Sequence, residues 1–303
     1  MINYSNSLGT TSTTYDLDLK EYPSLFKKCY SYTPLKNIAE DVATGVSSGL
    51  DKAYVYSPDS IKKLHLENLI MRKLVVGGEI HRYALTPKSG KKLIYTTPST
   101  NIDEYPNCLS ALLPYKKQLL KRREASNGKI PWFALNWPRR SKLFERPKIL
   151  IRQTADRIMA TFDSAGWYCL KSGLIIQLPD TSIIKYEYLL GLLNSSLMKL
   201  IYGDLVGEKA RVFPEVKPVQ LFKLPIREID FGDADDKRMH DKMFKLVERM
   251  MKLHKKLVEA KVPGEKERMK REIEATDRQI DSLVYELYGL TTDEIAIVEG
   301  HSK

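Results

Sequence analysis

The chain has 303 residues, 43% of them hydrophobic, which suffices to bury a core in one large domain or two smaller ones and excludes a disordered protein. Its formal net charge is +11, and residues 116 to 157 alone hold thirteen Lys or Arg against three acids, so a neutralising partner is expected at one place. Three cysteines, Cys29, Cys108 and Cys169, stand far apart with no C-x-x-C pair, which argues against a zinc site and a secreted disulfide framework and for a reducing, cytoplasmic setting.

Residues 1–22 are rich in Ser, Thr, Asn and Tyr and lack the apolar run of a signal peptide or anchor, so they read as a flexible N-terminal segment. Residues 23–232 mix helix and strand signals. Ser57-Pro58 ahead of Ile61, Leu64, Leu66, Leu69 and Ile70 predicts a capped helix with Pro at its first position. Residues 109–123, entered through Pro106-Asn107, predict a second helix with a basic last turn. Short strands are predicted at 80–85, 92–96, 147–153, 158–162 and 174–178, each bounded by Gly, Pro, Asp or Ser. Residues 188–202 are the most apolar run, yet polar residues interrupt it and it is too short for a bilayer; it reads as one buried helix, with no membrane partner. Irregularly spaced short strands point to an α+β fold with a mixed or antiparallel sheet.

Residues 233–289 differ in kind. Met239, Met243, Leu246, Met250, Leu253 and Leu257 step by four and three, and Met269, Ile273, Thr276, Ile280, Leu283 and Leu287 repeat those steps after Pro263-Gly264. Two matching seams joined by a tight turn predict an antiparallel helical hairpin, closed by Gly289 and followed by a tail at 290–303. Such seams serve packing on the chain's own body as well as a homodimer.

No phosphate-binding glycine loop, dinucleotide fingerprint, H-E-x-x-H or G-x-S-x-G occurs, and the sequence offers no catalytic residue and no metal-ligand set. Asp180 lacks the Glu-x-Lys expected of a nuclease site. The basic segment instead interleaves Trp132, Phe133, Asn136, Trp137 and Gln153 with its cations, which supplies phosphate grips and amides able to read a base edge; the same charge also fits a solvated face. Arg139 and Arg140, after the Trp137-Pro138 bend, are the first candidates for base or phosphate contact, because a guanidinium fork matches the two acceptors of guanine. Asn136 and Gln153 are candidate adenine partners, and Lys142, Lys148, Arg152 and Arg157 candidate phosphate grips. Thr44, Ser47, Ser48 and Lys52 surround a glycine turn whose amides suit a phosphate. His81 and Arg82 on a predicted strand, and Lys209 and Arg211 in a second basic loop, complete the DNA-binding candidates. Trp132 and Trp137 are expected mainly to pack the loop and Trp167 to lie in the core.

Several ordered pieces resemble the TaqI-like C-terminal specificity domain of type IIG restriction enzymes and adenine-specific DNA methyltransferases. They are the turn Thr44-Gly45-Val46-Ser47-Ser48-Gly49 running on to Val55, the basic helix end at 119–123, Phe144-Glu145-Arg146-Pro147-Lys148, Tyr188-Leu189-Leu190-Gly191-Leu192-Leu193-Asn194, and the exit at 213–221 with Leu224-Pro225-Ile226. The resemblance, over residues 32–226, implies a domain that docks in the groove of double-stranded DNA while a methyltransferase or endonuclease domain or subunit performs the chemistry. The chain lacks the methyltransferase Asn-Pro-Pro-aromatic motif and its glycine-rich cofactor loop, so S-adenosylmethionine and Mg2+ are expected only in those catalytic domains. The hairpin is similar in style to the helical spacers of type I specificity subunits. The expectation is therefore a non-catalytic, sequence-specific DNA reader belonging to a restriction-modification enzyme. Its alternatives are a stand-alone specificity subunit, the severed end of a fused nuclease and methyltransferase, and a basic adaptor that binds RNA or an acidic protein through a dimeric hairpin.

Overall fold

The computed structural model describes residues 22–206 and 215–300. At its centre is a four-stranded antiparallel sheet of β1 (Asp41–Thr44), β2 (Lys148–Arg152), β3 (Ala160–Asp163) and β4 (Gly173–Gln177), in the order β1-β4-β2-β3. Successive side chains of a strand point to opposite faces. Ile149, Ile151, Leu174 and Ile176 accordingly enter one core with the long helices, whereas Leu150 and Ile175 enter a second core on the other face. Burial on both faces explains why β2 and β4 read as continuous apolar runs, each buried Leu or Ile contributing roughly 1.5–3 kcal/mol.

The second core lies under a smaller sheet, ordered Tyr168–Cys169, Met71–Val75, Lys92–Ile94 and Val55–Tyr56, in which the first pairing is parallel. The mixture of sheets and helices is the α+β class that the short strands indicated. Residues 80–85 fold back as a two-strand ribbon, Ile80–His81 against Ala84–Leu85, with Tyr83 at φ +60°.

Three predicted helices meet different fates. Pro58–Lys63 is capped as expected, Ser57 Oγ accepting from the Ser60 amide at 3.2 Å, but it stops early because His65 turns to φ +51°. Residues 71–75, just beyond, form a strand that the sequence pattern did not reveal. The expected helix at 109–123 starts at Pro106 and breaks into Pro106–Leu112, a tighter turn Leu113–Tyr115, and Lys116–Leu120, since Pro114 has no N–H to give to Ser110. The buried run at 188–202 is two helices, α1 (Tyr186–Asn194) and α2 (Ser196–Val206), bent by 66° at extended Ser195. The polar Asn194-Ser195-Ser196 causes the break: Asn194 bonds both backbone groups of Ala160, at 3.0 and 2.9 Å, and Asp281 accepts from the Ser196 amide at 2.8 Å. Among the described residues no single helix is long and apolar enough to cross a membrane.

The hairpin is present as α3 (Ala234–Glu259) and α4 (Pro263–Leu287), ended by Gly289 at φ +61°. Its lower seam, including Met243, Val247, Met250, Ile280 and Leu283, is buried in the same core as the sheet. At the contact between α3 and α1, Gly191 leaves no room for a Cβ against Met243 and Val247.

Candidate nucleic-acid interface

The glycine turn after β1 is built by close backbone approach. The Gly45 amide donates to Gly173 O and the Val46 amide to Cys169 O, both at 2.9 Å, and a Cβ on Gly45 would overlap the carbonyls of Cys169 and Leu170. Gly49 holds φ +76°, a conformation that favours glycine. Ser48, placed among the DNA contacts by sequence, is buried, with its hydroxyl bonded to Asp51 and accepting from the Leu50 amide. It shapes the turn and is not a contact residue.

The basic loop docks on this turn. Ser47 and Trp137 exchange backbone hydrogen bonds, Ser47 N to Trp137 O at 3.0 Å and Trp137 N to Ser47 O at 2.8 Å. Arg139 Nη2 donates to Thr44 Oγ1 at 2.7 Å, and the Tyr95 hydroxyl donates to Arg139 O at the same distance. Arg139 itself sits at φ +61°. Arg122 joins the two pieces from below, its guanidinium reaching Ser48 O, Trp132 O and Ala134 O at 2.7 to 2.8 Å.

Strand register extends this junction across one end of the central sheet. Val46 bridges Leu170, Gly173 stands opposite Arg152, and the Gln153 amide donates to Ser172 O at 3.0 Å. Trp137, Ser47, Thr44, Arg139, Lys171, Arg152 and Gln153 thus follow one another along a single edge. Trp137 is 55% exposed, contrary to the expectation that it packs the loop, whereas Trp132 is half-buried beneath the Lys116 ammonium, 5.2 Å from its ring centroid. Trp167 is also only half-buried, at the rim of the second core, with Lys73 over its ring.

Arg140, Lys142 and Lys171 are exposed and, with half-buried Arg152, make no ion pair among the described residues. Lys142 lies further down the flank of the sheet, where Gln177 Nε2 donates to its carbonyl at 3.3 Å. Half-buried Asn136 sits against the turn, its Cβ 3.2 Å from the position a Cβ on Gly49 would take. Lys52 leans over the Tyr115 ring at 5.7 Å. His81 is half-buried with Nε2 3.0 Å from Thr86 Oγ1. Burial and then the positive charges of Arg152 and Lys88 hold its pKa below the usual histidine range, so the ring is neutral at pH 7.

Three other sequence candidates are structural. Lys148 is fully buried and ion-paired to Asp163 at 2.5 Å, because its place on β2 faces inward opposite Asp163. Arg82 forms a two-pronged pair with Asp277 of α4, at 2.9 and 2.6 Å, and also donates to Asn194 O. Arg157 donates to Asn194 O at 2.6 Å and Ser195 O at 3.2 Å, closing the end of α1. Both arginines fasten the helices to the sheet. Asp180 is taken up by Arg146 at 2.6 Å. Lys209 and Arg211 lie outside the described residues.

Sequence reasoning did not single out Lys171, Lys88 or the organising role of Arg122. A turn lysine between two strands carries no local signal; only the pairing of β4 with β1 and β2 brings Lys171 to the edge. Among the described residues, no three His, Cys, Asp or Glu side chains are grouped to hold a metal ion.

Comparison with known proteins places this architecture. The type II methyltransferase M.MjaIV of Methanocaldococcus jannaschii is 26% identical over 238 residues, covering 74% of this chain and 78% of that protein. Among solved structures, the type IIL restriction-modification enzyme MmeI, in complex with DNA, superposes with a TM-score of 0.61 at 13% identity over 89% of this chain, a likeness of fold. The type IIG restriction endonuclease BpuSI gives a TM-score of 0.45 at 13% identity over 88% of this chain. The chain spans 36% and 33% of the length of those two enzymes. The sequence pattern of the TaqI-like C-terminal specificity domain matches residues 72–226, just over half of the chain and within the stretch whose motifs resembled it. The chain belongs to the family of TaqI-like C-terminal specificity domains.

Proposed function

We propose that this chain reads a specific sequence in double-stranded DNA for a restriction-modification enzyme, with methyl transfer or cleavage performed by a separate domain or subunit. The observation that carries the reading is the row of cations and amides assembled along one sheet end, held rigid by the Ser47–Trp137 pairing and by Arg122. Such an arrangement suits a duplex, whose phosphates take up dispersed positive charge while a loop enters the major groove. Arg139, Arg140 and Asn136, on the loop crest, are assigned to base edges. Lys52, Arg152 and Lys171 are assigned to phosphates, with Gln153 and His81 beside them. S-adenosylmethionine and Mg2+ belong, in this reading, to the catalytic partner alone.

Selection of bound duplexes from a random pool at about 150 mM salt tests the proposal, because nonspecific phosphate binding is weak there. One short enriched motif is expected, bound roughly 10³-fold or more above random DNA. Arg140→Ala should flatten the preference at one base position, whereas Lys171→Ala should weaken all duplexes alike. No enrichment, with equal losses for both variants on every sequence, overturns the assignment.

A further inference from the structure

The hairpin points its free end toward the same side as the cation row. Helices α1 and α3 run side by side in one direction. At the start of α1, the Lys185 amide donates to His240 Nε2 at 3.4 Å; in its middle, Gly191 meets Met243 and Val247. Beyond its end, the His254 ring lies 6.5 Å from that of Tyr83, whose amide donates to Ala160 O at 2.9 Å. Ala160 pairs with Ile151, next to Arg152 at the end of the sheet that carries the row. Half-buried His254 also feels the charge of Arg82, and half-buried His81 that of Arg152.

Helix α3 continues past His254 to Glu259 before the chain turns, so the hairpin extends roughly 8 Å beyond the level of the His254–Tyr83 contact, at 1.5 Å per residue. Residues 255–271 hold seven Lys or Arg against three acids. Lys255, Lys256, Lys261 and Lys266 are exposed and make no ion pair among the described residues. Arg82 and its two-pronged bond to Asp277 hold the middle of α4 to the body, so the hairpin's direction is set by the fold.

We propose that the hairpin tip is a second DNA-binding element, gripping the phosphate backbone of the same duplex in the flank beside the recognised bases. This rests on the recognition reading above and adds to it a contact that carries no sequence information. Phosphate is the occupant that the charge selects: four unpaired ammonium groups on a narrow arm, emerging at the end of the body where the duplex would lie, match an anionic backbone.

The test compares the full chain with its Lys255→Gln/Lys256→Gln/Lys261→Gln/Lys266→Gln variant, on the selected site with and without about ten flanking base pairs on each side, and on random duplexes. A matched circular-dichroism melt establishes that the variant is folded. The expected result is a loss of affinity by the same factor on selected and random flanked duplexes. The slope of log K against log salt should shrink by roughly 0.9 for each phosphate contact removed. Wild type should bind the flanked site more tightly than the bare one, and the variant should bind both alike. A variant matching wild type in affinity and salt slope, while Arg140→Ala still erases sequence preference, overturns the tip contact alone and leaves the hairpin for a protein partner. If wild type binds no duplex of any kind, the recognition reading falls and this inference with it.

Discussion

The Arg122 guanidinium donates from Nη1 to the carbonyl oxygen of Ser48 at 2.7 Å, and from Nη2 to Trp132 and Ala134, so one side chain locks the glycine turn to the basic loop. Its Nε closes back on Leu119 O at 3.0 Å, and its plane lies 5.9 Å from the Tyr54 ring centroid. Arg122→Met keeps the stem but removes all four bonds. A charged donor lost from part-buried carbonyls costs about 2–4 kcal/mol in total, since Tyr54 OH still reaches Ala134 O at 3.0 Å and water reaches the rim. Urea unfolding should show that loss, and hydrogen exchange should quicken at Ser47, Trp137 and neighbouring amides. An unchanged exchange pattern would show that the loop holds itself.

Legibility followed locality. The hairpin was plain in the sequence because its steps of four and three recur over dozens of residues, and the β2 and β4 runs stood out because both faces of those strands are buried. The helix entered at Pro58 was carried on to Ile70 because Leu66, Leu69 and Ile70 mimic helical spacing, although Leu69 is 76% exposed, and the strand at 71–75 beyond it went unread. At the site, the glycine turn and Arg139 were visible as a bend and a charge, but charge alone does not tell inward from outward. Lys148, Arg82 and Arg157 counted as free cations until tertiary pairing gave each a carboxylate or a helix end.

Lys148 and Asp163 make a buried pair whose removal is expected to be costly on either side. Asp163 also accepts from the Ala165 and Trp167 amides at 2.8 and 2.9 Å, so it anchors a turn as well as a charge. Lys148→Met strands a buried carboxylate and should cost about 3–5 kcal/mol. In the Lys148→Met/Asp163→Asn double variant the amide oxygen still accepts from a turn amide and no charge is stranded, so the double should be less destabilised than the sum of the singles. A thermodynamic cycle from urea melts measures the coupling. Additive losses would mean that the two groups act independently.

Acid should loosen the joint between the hairpin and the body. Burial, then Arg82, hold His254 below the usual histidine range against the opposing pull of Asp277, and His81 is depressed too. With folded pKa values below the unfolded value, the unfolded chain binds more protons in the window just below pH 6.5. Stability therefore falls as pH drops through that window toward the depressed folded values. The thermal midpoint should be lower at pH 5.5 than at pH 7.5, and His254→Gln should reduce that difference. A difference of the same size in the variant would assign the acid loss to other groups.

Arg139 occupies a left-handed backbone conformation, φ +61°, that costs an L residue roughly 1–2 kcal/mol and that glycine adopts freely. The conformation is held from outside by Tyr95 OH on its carbonyl and by Ser47 on Trp137, and it aims the side chain along the sheet edge to Thr44. Arg139→Gly relieves the backbone at the cost of one exposed hydrogen bond, so it should stabilise the chain by about 0.5–1 kcal/mol. Arg139→Ala loses the same bond without that relief and should be no more stable than wild type. On the selected duplex both variants should lose affinity and relax the same base position. A glycine variant that is more stable yet a poorer reader would show that the strain is maintained for recognition. A glycine variant less stable than alanine would mean instead that the loop prefers this conformation for reasons local to its own packing.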